Sequence, residues 1–192
     1  MKRQKKRFVA VLLALLMVLA AGACGKNGNE NPNGSGENDS QNEAVKSDGY
    51  AKFSQLKIGM TESEVNAILG EPVRVDKAYY YYSITVNGQD MEIEVWISMV
   101  SDEVIYFNGD FYKSEYRSEF ADRRTDLSAA GKLDSGELST YEECVSAFKT
   151  SGYLITEDDK GEKRYLWVDI FDGELCVTFR ADGSVKSYSG YC

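Results

Sequence analysis

From Tyr50 onward the apolar positions fall first at helical and then at strand spacing. Phe53, Leu56 and Ile58 lead into Gly59-Met60-Thr61. Thr61 and Glu64 make a T-x-x-E capping box, in which the Thr hydroxyl and the Glu carboxylate each satisfy a backbone N–H at a helix start. Val65, Ile68 and Leu69 then form one apolar stripe. Gly70 is placed to end the helix and Pro72 to keep it from resuming. A helix this short needs a sheet to pack on. Tyr79 to Val86 is rich in strand formers, and Asn87-Gly88 is a strong hairpin signal. Met91 to Ser98 sets Met91, Ile93, Val95 and Ile97 against Glu92, Glu94, Trp96 and Ser98, a period of two that predicts a sheet with one buried face. A strand over about 103–107 follows a turn near Ser101-Asp102.

The second segment repeats the order. Thr140 and Glu143 form another T-x-x-E box, followed by an apolar stripe of Cys144, Val145 and Phe148, with Gly152 just beyond. Strands are predicted at Arg164 to Phe171, Leu175 to Arg180 and Val185 to Tyr191, separated by turns at Asp172-Gly173 and Asp182-Gly183. Aligning the boxes pairs Val65 with Cys144, Leu69 with Phe148, Val95 with Val177 and Ile97 with Phe179. Two copies of one plan, or one α+β domain in which elements recur, both fit this order. The boundaries are a first copy at 49–111, a connector at 112–136 carrying mixed charge, and a second copy at 137–192.

Ahead of this lies a different kind of sequence. Lys2, Arg3, Lys5, Lys6 and Arg7 precede an apolar run from Phe8 to Leu19, and then Ala20, Ala21, Gly22, Ala23 and Cys24. The run is short of the ~20 residues that span a bilayer. Its order is that of an export signal, expected over 1–23. Ala21-Gly22-Ala23 is itself a site for ordinary signal peptidase, and followed by Cys24 it resembles a lipobox with Ala where Leu is usual. Cys24 is the expected lipidation site, and two acyl chains there would anchor the protein stably. Positions 25–48 hold only Ala44 and Val45 as aliphatic side chains, too little apolar surface to offset ordering. As a flexible coil of about 24 residues this tether reaches roughly 25–30 Å. The expected location is extracytoplasmic, held at the cell membrane by the lipid on Cys24.

Composition narrows the function. The full chain has a formal charge of −9, and loss of the five leader cations makes the mature chain more acidic still. Nucleic acid is therefore not an expected partner. The chain has no histidine, which removes His-activated nucleophiles and His-containing zinc sites. Cys144, Cys176 and Cys192 lack metal-site spacing. Outside the membrane they allow one disulfide, in any of three pairings. Asp and Glu are plentiful, but no motif marks a catalytic pair. No cofactor, metal or enzymatic activity is expected.

Phe53-x-x-Leu56-x-Ile58-Gly59-Met60-Thr61-x-x-x-Val65-x-x-Ile68-Leu69-Gly70-x-Pro72 is similar to the opening of the SmpA/OmlA (BamE-type) envelope lipoproteins. The same motif opens each repeat of the β-lactamase inhibitory proteins. The likeness covers about 20 residues. In the second copy Leu138-Ser139-Thr140 replaces Gly-Met-Thr, and no Pro follows. The resemblance implies an α+β fold of two tandem helix-helix-strand repeats, joined in one antiparallel sheet with helices on one face and a concave face for a partner protein. No functional residue transfers with it.

Strand alternation then points to a docking face. Tyr80, Tyr82, Ile84 and Val86 share one side of their strand, and Leu166, Val168 and Ile170 one side of theirs. If these aliphatic sides meet the helices, Tyr79, Tyr81, Trp96, Tyr165, Trp167 and Tyr188 lie together on the open face. Tyr and Trp are enriched in interface hot spots. Aromatics are also ordinary strand residues, so packing is the competing explanation. The expected function is a membrane-anchored, non-enzymatic protein-binding module with an unidentified protein partner. The alternative is an envelope-assembly scaffold of BamE type.

Overall fold

A computed structural model describes residues 48–171 and 173–190. The expected leader over 1–23, Cys24, nearly all of the expected tether, and Cys192 lie outside the described residues. The described chain runs α1 (Gly49–Phe53), α2 (Glu62–Leu69), β1 (Arg74–Asp76), β2 (Tyr79–Val86), β3 (Gln89–Ile97) and β4 (Val104–Gly109). Two 3-10 segments, Ser114–Arg123 and Ala130–Lys132, precede α3 (Tyr141–Phe148). The chain then continues through β5 (Tyr153–Asp158), β6 (Lys163–Val168), β7 (Glu174–Phe179) and β8 (Val185–Gly190). All eight strands join one antiparallel meander in sequence order.

This architecture corrects the expected class. The chain is not an α+β fold of helix-helix-strand repeats but mostly one eight-stranded sheet with three short α-helices. The second half supplies a single α-helix, and 3-10 turns occupy the segment before it. The motif behind the expectation encodes a cap, a stripe and a stop, and these are local features that do not count helices.

Those local features form as the residues predict. Thr61 and Thr140 each accept the N3 amide on their side chains, while Glu64 and Glu143 accept the cap amides at 2.8 and 3.0 Å. Gly70 caps α2 at φ 89° and ψ −169°, a backbone region essentially reserved for glycine. Each cap is also stitched to a hairpin. Val104 donates to Met60 at 2.7 Å beside α2, and Val185 donates to Ser139 at 2.7 Å beside α3. The Asn87-Gly88 turn has positive φ at both residues, as a two-residue hairpin turn requires.

Two strands escaped the pattern. β1 is a short, exposed edge strand. β5 is the strand that joins the two halves, pairing with β4 on one side and β6 on the other. Its alternation is broken by an irregularity between Leu154 and Thr156. β6 also ends earlier than predicted. The chain turns after Val168, so Ile170 is 48 % exposed rather than packed.

Two buried clusters result. The first gathers Phe53, Leu56 and Val65 with the inward residues of β2, β3 and β4, and also Leu166, Val168 and Cys176. The second packs Cys144 and Phe148 of α3 on Trp167, Leu175, Val177 and Phe179. The 112–136 segment belongs to both, through Tyr116 and Phe120 in the first and Leu127, Ala130 and Leu133 in the second. It is a core element, tied down where Thr125 donates its amide to Val168 at 2.9 Å and its hydroxyl to the Phe148 carbonyl.

Candidate functional site

The six aromatic residues expected on one open face separate into two groups. Tyr165 and Trp167 face α3. Trp167 is 1 % exposed, 5.5 Å from the Phe148 ring, and its Nε1 donates to the Thr150 carbonyl at 3.0 Å. The Tyr165 ring is 4.7 Å from that of Tyr141. Tyr188 stands opposite Val177, which is buried in the α3 cluster, and it donates its hydroxyl to Asp134 at 2.5 Å. The expected aliphatic-in, aromatic-out order of β6 is therefore reversed with respect to the helix. Both sides of β6 are covered, and the aromatic side is the one that α3 covers.

Tyr79, Tyr81 and Trp96 do lie on the side of the sheet away from the inward residues of β2 and β3, and each is half-buried. Register makes them part of two continuous rows. One runs Asp76, Tyr79, Trp96, Tyr106, Asp158 across β1 to β5. Its rings touch, with centroids 4.5 Å apart for Tyr79 and Trp96 and 5.0 Å for Trp96 and Tyr106. The other crosses all eight strands as Arg74, Tyr81, Glu94, Asn108, Thr156, Arg164, Thr178 and Ser187. No member of either row is fully buried. Tyr106 joins its row only once β4 pairs with β3, opposite Trp96, and Asn108 and Thr156 come together only once β4 pairs with β5, so sequence reasoning did not reach them.

Polar contacts fix this surface. The Trp96 indole N–H donates to Glu94 at 2.5 Å. Thr156 donates to Asn108 Oδ1 at 2.7 Å, and Asn108 Nδ2 donates to Asp110 at 3.3 Å. Beside Tyr106 lies an open cleft of about 280 Å³, lined also by Asn108, Tyr112, Thr156, Asp158 and Arg164. The Tyr106 phenol has a raised pKa, chiefly through burial and then through the negative field of Glu94 and Asp110, which Arg164 partly opposes. The surface is thus aromatic, negatively biased and partly dry.

The thiols are separate from it in chemistry. Cys144 and Cys176 are free and sit in different buried clusters. Burial pushes the Cys144 thiol up to about 11 and raises that of Cys176 too, so both stay protonated and unreactive near neutral pH. Among the described residues, no three of His, Cys, Asp and Glu are grouped to hold a metal ion. No known family profile and no curated protein matches the sequence.

Proposed function

We propose that the protein is a membrane-anchored extracytoplasmic binding module that captures a protein partner on the open side of β1 to β5. The supporting observation is the contact row Tyr79, Trp96, Tyr106, half-buried on the open side of the sheet and backed by a polar band. Rings held by neighbouring strands lose little freedom on binding and bury much area, which is the character of interface hot spots. Tyr165, Trp167 and Tyr188 have no part in this site. The anchor is supported by the leader order and by Cys24 at its end.

The test is site-specific crosslinking in the intact cell. A photo-crosslinking residue at Tyr106 should trap a discrete polypeptide, whereas one at Met99, 82 % exposed in the β3–β4 turn, should not. Equal trapping from both positions, or none from Tyr106, would refute the site. Cys24→Ala should abolish incorporation of labelled fatty acid and release the protein from the membrane.

A further inference from the structure

The open face contains a built-in example of how it meets a cation. The Arg74 guanidinium lies 3.4 Å from the Tyr81 ring centroid, and its Nη2 reaches the Glu92 carboxylate at 3.4 Å. Ring and carboxylate come from adjacent strands, β2 and β3. This is the geometry that favours arginine: the negative ring face attracts the planar cation while a carboxylate takes its N–H groups.

The same combination of rings and carboxylates recurs one row away with no cation stacked on it, Arg164 lying beside it in the cleft rather than over its rings. Trp96 touches Tyr79 and Tyr106, and Glu94 is held at its edge by the indole N–H. Asp158 stands opposite Tyr106 in register. Two backbone amides, of Lys160 and Glu162, donate to one of its oxygens at 3.0 and 2.9 Å, which fixes the carboxylate in place. Among the residues whose side chains the structure describes, no Arg or Lys lies over the rings of Tyr79, Trp96 or Tyr106, although Arg74 lies over Tyr81 on the same face. The chain as a whole is acidic, with a formal charge of −9, so a positive partner is also steered toward it.

We infer that the Tyr79, Trp96, Tyr106 row, together with Glu94 and Asp158, receives the arginine or lysine side chains of a basic polypeptide segment. This deepens the binding reading above and rests on it. A neutral apolar segment would desolvate the charges of Glu94 and Asp158 without bringing a countercharge, which is unfavourable. An acidic segment would meet like charge.

The test uses the full-length chain titrated with an oligo-arginine peptide and, separately, with the neutral isostere oligo-citrulline. The two tryptophans give an internal control. The Trp96 indole N–H resonance should move with oligo-arginine and that of buried Trp167 should not. Glu94→Gln should weaken binding about fivefold, as should Trp96→Ala followed by fluorescence of a labelled peptide. Raising salt from about 50 to about 300 mM should weaken it further. Equal binding of oligo-citrulline, undiminished binding by Glu94→Gln, or an unmoved Trp96 resonance would overturn the inference. If oligo-arginine fails while crosslinking from Tyr106 still traps a protein, the cationic assignment falls and the docking face stands. If both fail, the docking face falls with it.

Discussion

Trp96 and Trp167 occupy similar sequence settings and opposite physical ones. Each sits in a strand that alternates aromatic or charged positions with aliphatic ones, and each has tyrosines nearby in the sheet. Trp96 is half-buried on the open side, its indole N–H bound to a carboxylate. Trp167 is sealed under α3, its N–H bound to a backbone carbonyl. The difference lies in what covers each strand. In β3 only the aliphatic side is packed. In β6 the aliphatic residues Leu166 and Val168 join the first buried cluster, while Tyr165 and Trp167 pack on the α3 side. Alternation gives spacing, and spacing alone does not say which side a helix will choose.

The comparison breaks most sharply on the two tryptophans themselves. Trp167→Ala should destabilise the fold by about 3–5 kcal/mol, since it empties a close-packed site and orphans the Thr150 carbonyl. Trp96→Ala should stay within about 1 kcal/mol while reducing partner capture. Denaturant unfolding of both variants measures this, and equal losses would erase the distinction. A second contrast sharpens it at the backbone. A Cβ on Gly152 would come within 2.6 Å of the Trp167 ring at a φ of +68°, whereas one on Gly70 meets nothing within 4 Å. Gly152→Ala should therefore cost about 2–4 kcal/mol, through strain plus overpacking, and Gly70→Ala less, through strain alone.

Smaller effects test where the halves agree. Thr61→Ala and Thr140→Ala remove equivalent caps, and each should cost about 1 kcal/mol in thermal or denaturant unfolding. The smallest effect is on pH. The Thr61 amide, and then its hydroxyl, hold the Glu64 carboxyl below its usual range, and the Ser139 amide and hydroxyl do the same for Glu143. A carboxyl with a lowered pKa stabilises the fold above its ordinary pKa, and that contribution disappears as pH falls through the lowered value. The melting temperature should drop on acidification from pH about 7 to about 3. Glu64→Gln with Glu143→Gln should flatten that slope, and an unchanged slope would show that the boxes are not the titrating groups.

Much of the local structure was legible. The capping boxes, the Asn87-Gly88 hairpin and the inward set Met91, Ile93, Val95 and Ile97 each depend on neighbours a few residues away, so periodicity and turn chemistry reveal them. β5 was not legible, because the irregularity near Leu154 breaks its alternation and its role comes from pairing with both halves. The 112–136 segment read as a connector because its apolar residues follow no period, yet Phe120, Leu127 and Leu133 are buried by contact with distant elements. Of the six aromatics expected on one face, three lie on the open side, and Tyr106, which completes their row, takes its place only through the pairing of β4 with β3.

By itself the sequence determined the caps, the turns and the strand periods, since each depends on bonds and side chains close along the chain. Only the tertiary structure decided which side of each strand is covered and which rings remain in reach of solvent. Pairing eight strands in order and seating one helix on the aromatic side of β6 are long-range choices, made by the total apolar area buried rather than by any single segment.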